Sequence, residues 1–299
     1  MNREIKGILH VFLAYVLWGL MPIYWKTVAH ISSDEILASR VVWSFIFTLL
    51  LIVVLRDVPK LKRDLRELWS DKKAFFSLMI ASYLVTANWF TFIFAVNAGE
   101  LVQTSLGYYI NPLFSVLLGI VFLGERLTDA QKAAVGIASA GVVILTVTYG
   151  QLPWISLVLA STFAFYGLIK KQAKVGAITG LAIETFFVLP IAFLYLVYLF
   201  TQDSLQFVDS DVLTVFLLML SGVATALPLL LYASGTKSIP LYLSGFIQYI
   251  APTMMLVLGV VLYNEPFSSQ EWIGFSFIWV ALLLFSISKF IQVKRSLQK

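Results

Sequence analysis

Two ionised side chains, Arg40 and Glu184, interrupt otherwise apolar runs of this sequence. A charge at bilayer depth costs about 2.5 to 3.5 kcal/mol on insertion scales, so each needs water, a partner or a route to the interface. Arg40 keeps its charge and suits an anionic group. A desolvated carboxyl such as Glu184 is pushed toward its neutral form and suits a proton taken up and released during a cycle. Arg40 lies about five residues from one end of its run and Glu184 about seven from the opposite end, leaving a gap on the order of 12 Å across a 30 Å core. That is too far for a direct ion pair. The two are expected to act from opposite sides of a cavity on a substrate or proton, with snorkelling or helix packing as the other reading of each.

Polar groups at similar depth are few: Asn88, Asn111, Gln248 and the hydroxyls of Tyr83, Tyr108, Tyr109, Tyr166, Tyr232 and Tyr249. At i, i+3, i+4, i+7 spacing, Tyr108, Asn111, Pro112 and Ser115 share one helix face, and Gly245, Gln248, Tyr249 and Pro252 share another. Those faces are predicted to line the cavity; the alternative is hydrogen bonding between helices at about half a kcal/mol each. Trp18 and Trp43 are deep enough to wall a pocket, whereas Trp25, Trp69, Trp154 and Trp272 stand at run ends, where indoles anchor at the interface. Pro112 and Pro252 free the carbonyls of Tyr108 and Gln248 and are the candidate hinges. The substrate-binding candidates are thus Trp18, Arg40, Trp43, Asn88, Tyr108, Asn111, Glu184, Gln248 and Tyr249.

Other chemistry is thinly represented. There is no cysteine, His10 and His30 lie near run ends, and no second carboxylate accompanies Glu184. Gly235-Thr236-Lys237-Ser238 lacks the earlier glycine of a phosphate-cradling loop. No catalytic residue, metal or cofactor is expected, and an ATP-driven pump is disfavoured. Transport leads; a channel or scaffold follows, and an intramembrane enzyme comes last.

The elements that must position these residues follow from composition. Of 299 residues, 60% are apolar and 12% charged, with a mean hydropathy of +0.90. A soluble domain carries about a quarter charged residues, so most of this surface needs lipid. Continuous apolar runs of about 20 residues exclude a β-barrel and specify an all-α integral membrane protein. Ten transmembrane helices are predicted, at 7–27, 35–55, 74–96, 101–123, 131–148, 152–170, 177–200, 212–234, 240–263 and 271–291. The first lacks an Ala-x-Ala site and is expected to be retained. With both termini cytoplasmic, 19 of the 21 Lys and Arg residues fall inside, Lys26 falls outside, and Arg40 lies within a span. The basic 56–73 stretch then reads as a loop that sets topology beside anionic lipid, and the net charge of +5 implies no nucleic-acid partner. Ala133, Ala134, Gly136, Ala138, Ala140 and Gly141 make the fifth span either a scaffold helix or the surface of a homodimer.

A shift of 140 residues superposes Tyr109, Ile110, Pro112, Gly119, Val121 and Glu125 on Tyr249, Ile250, Pro252, Gly259, Val261 and Glu265. Five spans being odd, the halves 1–149 and 150–299 must run in opposite senses, the inverted repeat of secondary transporters. Residues 105–141, SLGYYINPLFSVLLGIVFLGERLTDAQKAAVGIASAG, with AVN at 95–97 and A-x-x-x-W-G from Ala14 to Gly19, resemble the drug/metabolite transporter superfamily, and within it the EamA-domain permeases of RarD type. The resemblance implies two five-helix repeats, a bacterial cytoplasmic membrane and export of small metabolites or drugs. A small-molecule substrate, membrane lipid and a coupling proton are the partners expected. Asn111 is answered by Ala251 and Asn88 by Pro228, so symmetric substrate contacts are not expected.

Overall fold

The computed structural model describes residues 3–97, 101–149, 154–262 and 269–297, and every regular element among them is helical. In chain order these are α1 (Arg3–Thr27), α2 (Ser33–Val54), α3 (Val58–Ser70), α4 (Lys72–Asn97), α5 (Leu101–Leu123), α6 (Asp129–Tyr149), α7 (Trp154–Gln172), α8 (Ala177–Thr201), α9 (Gln206–Asp209), α10 (Val212–Thr236), α11 (Leu241–Gln248), α12 (Ile250–Val257) and α13 (Ser269–Leu297). A π turn, Leu258–Leu262, continues α12. Helices satisfy their backbone groups internally, which hydrocarbon demands. Large apolar side chains such as Leu50, Phe90, Val147, Leu194 and Leu283 cover the outside, while Asn, Gln, Ser and Thr are buried. This is a multi-pass membrane protein.

Seven helical runs among the described residues are long and apolar enough to cross a membrane: α1, α2, α4, α6, α8, α10 and Leu241–Leu262. Gly107–Leu123 in α5 and Trp272–Ser288 in α13 are shorter apolar stretches, and α7 ends in Lys170 and Lys171. The 56–73 stretch is not a loop. Pro59 near its start favours helix entry, and Leu61, Asp64 and Leu68 fall on one face, so it forms α3 with Asp64 and Leu68 buried. Glu265 of the repeated pattern lies outside the described residues.

Packing is pairwise and close. α1 lies on α10, α11 and α12; α7 lies on α4 and α5; α2 meets α8 and α10; α4 meets α8; α5 meets α11; α6 meets α13. Between α2 and α10 the backbones nearly touch, because a Cβ on Gly222 would fall on the main chain of Trp43 and Ser44. Ser44 Oγ donates to the Gly222 carbonyl there, at 3.1 Å. The small-residue side of α6 has its partner within the chain: Ala134 and Ala138 are fully buried, and Gly141 packs on Gly274 and Phe277 of α13.

Carboxylates hold three later segments at their starts, where free N–H groups favour an anion. Asp64 accepts from Gly176 N at 3.1 Å and from Thr179 Oγ1, at the head of α8. Glu35 accepts from Gln206 N and Phe207 N at 3.0 and 2.6 Å. Glu125 accepts from Leu241 N and Tyr242 N at 2.7 and 3.0 Å, opening α11. The spacing of Gly119 and Glu125 thereby gains a physical reason: a Cβ at Gly119 would occupy the place of the Glu125 carboxylate. Gly124, at φ +62°, makes the turn between them.

Candidate functional site

Glu184 is not alone. α7 continues as helix to Gln172, which carries Lys170 into the bundle, where Lys170 Nζ stands 2.5 Å from Glu184 Oε1. The two side chains are 1% and 2% exposed, and Tyr166, one turn back on α7, donates its hydroxyl to Glu184 Oε2 at 3.2 Å. Two corrections follow. Lys170, although in the last turn of α7, is a buried, paired charge rather than one of the exposed basic residues that mark span ends. Glu184 has a cationic partner, so the premise of a solitary desolvated carboxyl is removed. Its other side faces a narrow cleft between α2, α4 and α8, lined also by Ser82, Thr86, Trp89 and Thr185. The cleft holds about 10 Å³, space for about one water.

Arg40 lies elsewhere, 9% exposed, between α2 and α10. Its Nε donates to Thr225 Oγ1 at 2.9 Å. Its guanidinium carbon sits 4.4 Å from the ring centre of Trp25 and 4.9 Å from that of Trp89. Trp25, expected as an interface anchor near the end of α1, also covers this cation. Among the described residues Arg40 has no carboxylate within ion-pair distance, Glu184 included. Trp89 connects the two regions, since it also lines the cleft of Glu184.

The amides bind helices together. Asn88 Nδ2 donates to Leu159 O at 2.8 Å and to Thr162 Oγ1 at 2.9 Å, and Asn111 Nδ2 donates to Ala160 O at 2.7 Å. Both therefore grip the carbonyl side of α7. Gln248 accepts from the Tyr15 hydroxyl at 3.2 Å. Tyr15 leads to Trp18, with ring centres 5.2 Å apart, and Trp18 meets Phe163 and Tyr232 at 5.5 and 5.7 Å. This aromatic cluster joins α1, α7 and α10 at mid-bundle, and through the stacked pair Tyr166 and Tyr232 it reaches Glu184.

Of the remaining candidates, Tyr108 lies near Arg40. Tyr108 is half-buried, 5.8 Å from Phe92. Tyr249 is fully buried against Tyr109, and its hydroxyl has no hydrogen-bond partner among the described residues. Trp43 packs by its main chain on Gly222. Pro112 sits where α5 crosses Gly245 of α11. Pro252 follows the break between α11 and α12 at Tyr249.

At the end of the bundle that carries Glu125, an open basin of about 470 Å³ is lined by Arg126, Lys171, Lys237 and Tyr242 among others. Lys171 donates to Thr236 O at 3.3 Å and to Ile239 O, and Lys237 donates to Val175 O. Burial, reinforced by Lys170, pushes the Lys237 ammonium down to about 8. Lys170, Tyr166, Trp89, Thr225 and Phe163 were not picked out as site residues. The i, i+4 spacing of Tyr166 and Lys170 was the one available signal. Among the described residues no group of three metal-ligating side chains converges, and the arrangement is suited to binding and to ion pairing rather than to bond making.

The model of the EamA-like transporter family matches the chain twice, over residues 5–147 and 152–287. The chain is 47% identical to "Uncharacterized transporter YojE" of Bacillus subtilis (strain 168), over 95% of this chain and 94% of that protein. It is 38% identical to "Protein RarD" of Escherichia coli (strain K12), over 97% of each. "Chloramphenicol-sensitive protein RarD" of Pseudomonas aeruginosa is 32% identical over 93% of each. A solved crystal structure superposes with a TM-score of 0.70 at 17% identity, covering 96% of this chain and 99% of that one, a likeness of fold.

Proposed function

The chain belongs to the EamA-like transporter family, in its RarD type, and we propose that it is a secondary transporter exporting a small metabolite or drug by alternating access. In this reading ten spans form two inverted repeats, 1–149 and 150–299. Both termini are cytoplasmic, as the partition of Lys and Arg favours.

The observation that carries the reading is repetition. The family model fits each half separately, and exchanging the halves maps one set of helix contacts onto another. The contact of α1 with α10 corresponds to that of α7 with α4, and α1 on α11 and α12 corresponds to α7 on α5. The contacts of α2 with α8, α5 with α11 and α6 with α13 map onto themselves. Two halves that can exchange conformations open one central site to either face in turn. The site comprises the aromatic cluster around Trp18 with Gln248, the Arg40 region, and the cleft at Glu184. Asn88, Asn111, Tyr108, Tyr249 and Trp43 shape its walls, and Pro112 and Pro252 serve as hinges.

The test is counterflow in proteoliposomes. Chloramphenicol is the first probe, because one relative's name carries it. Saturable exchange with preloaded unlabelled compound supports a carrier. Unsaturable flux would favour a channel, and absence of exchange across a panel of drugs and metabolites would overturn transport.

A further inference from the structure

Resting on that reading and deepening it, we infer that the transported molecule is an organic anion, a small apolar or aromatic body bearing one carboxylate, and that Arg40 holds the carboxylate. The guanidinium is largely buried in an apolar bundle and, among the described residues, makes one hydrogen bond, from Nε to Thr225. Its remaining donors, the two terminal amino groups, meet no carboxylate among the described residues. A purely structural arginine at this depth is paired or reaches the interface. This one has no carboxylate partner among the described residues and keeps 9% exposure, so something from outside can reach it.

Its position is nonetheless fixed. Trp25 and Trp89 lie over the guanidinium at 4.4 and 4.9 Å, and the Thr225 bond sets its rotation. With the ring faces engaged and Nε anchored, the edge formed by the terminal amino groups is what a ligand can meet. A planar carboxylate matches that edge with two parallel N–H···O bonds, a geometry that lysine cannot supply. The surrounding groups define the rest of the ligand: the indoles of Trp25 and Trp89 and the neighbouring ring of Tyr108, which packs on Phe92, suit an apolar or aromatic body. At the other end of the bundle, Arg126, Lys171 and Lys237 line the open basin, a cationic approach for the same class of solute. A phospholipid phosphate shares the anionic chemistry, and the experiment separates the two sources.

The purified full chain in neutral detergent is titrated with phenylacetate and with phenylacetamide, which has nearly the same shape without the charge. Tryptophan fluorescence and thermal unfolding are the readouts. The expected result is at least tenfold tighter binding of phenylacetate, with that preference abolished in Arg40→Gln and reduced at least fivefold in Arg40→Lys, which keeps the charge but not the fork. Should Arg40→Gln fail to fold, Arg40→Lys carries the comparison. Equal binding of the two probes, no binding of phenylacetate, or a preference that survives both variants would overturn the inference. Titration with phosphatidylglycerol against phosphatidylcholine forms the lipid arm. Arg40-dependent protection by phosphatidylglycerol, without binding of phenylacetate, would make this a lipid site and overturn it as well. Saturable chloramphenicol exchange with no phenylacetate binding would sink the anion class and leave transport standing; phenylacetate binding without exchange of any solute would do the reverse.

Discussion

Glu184 and Arg40 are both charged groups inside apolar helices, and their surroundings differ in kind. Glu184 is enclosed by Lys170 and Tyr166, each of its oxygens is engaged, and the cleft beyond it is the size of about one water. Arg40 has aromatic faces and a single hydroxyl acceptor. A satisfied buried charge fixes two helices relative to each other, here α7 and α8. Arg40, with no carboxylate partner among the described residues, is the charge inferred to meet a ligand.

The largest effect expected from this contrast comes from breaking the enclosed pair. Lys170→Met leaves a buried, uncompensated carboxylate and should cost about 3 to 5 kcal/mol, while Lys170→Met with Glu184→Met together should recover most of it. Arg40→Met gives up one charged hydrogen bond and two cation–π contacts but also removes a buried charge with no carboxylate partner among the described residues, and it should cost less, about 1 to 3 kcal/mol. Thermal unfolding in detergent, compared across the three variants, checks the set; equal losses at Lys170 and Arg40 would erase the distinction.

A smaller effect is expected at the amides. Asn111→Ala removes a hydrogen bond to α7 and should cost about 0.6 kcal/mol, the average for such bonds between membrane helices. A loss of transport much larger than the loss of folded protein would move Asn111 from holding helices to touching substrate.

The smallest is a pH effect beside the enclosed pair. Lys237 titrates near 8 rather than at its ordinary 10.5. Between those values the unfolded chain binds the additional proton, so stability should rise with pH across that window. Below it both states are protonated and the cost of burying the ammonium is fully present. Lys237→Met should flatten the rise, measured as unfolding temperature against pH, and a slope unchanged in the variant would assign it to another group.

The all-helical, multi-pass membrane architecture was legible because apolar run length reports directly on membrane helices. Arg40 and Glu184 stood out for the same reason. Lys170 did not. It sits beside Lys171 near Lys174, where a basic cluster reads as the end of a span, and only the continuation of α7 to Gln172 turns its long side chain inward toward a residue 14 positions away. For Arg40 only its depth was legible; its covering by Trp25 and Trp89 depends on how α1, α2 and α4 come together. Asp64 illustrates the same limit. The i, i+3, i+7 spacing of Leu61, Asp64 and Leu68 could have identified α3, whereas its bonds at Gly176 and Thr179 are 112 and 115 residues distant, beyond any local pattern.

The bond from Leu241 N to the Glu125 carboxylate has a consequence for the order of synthesis. Its two ends are 116 residues apart, so Glu125 leaves the ribosome well before the helix start it will hold. Asn88, Asn111 and Asp64 wait in the same way for Leu159, Ala160 and Gly176. The earlier-made half therefore enters the membrane before the groups that these side chains hold in the folded chain exist, so the contacts that fix its polar residues are completed only late in synthesis.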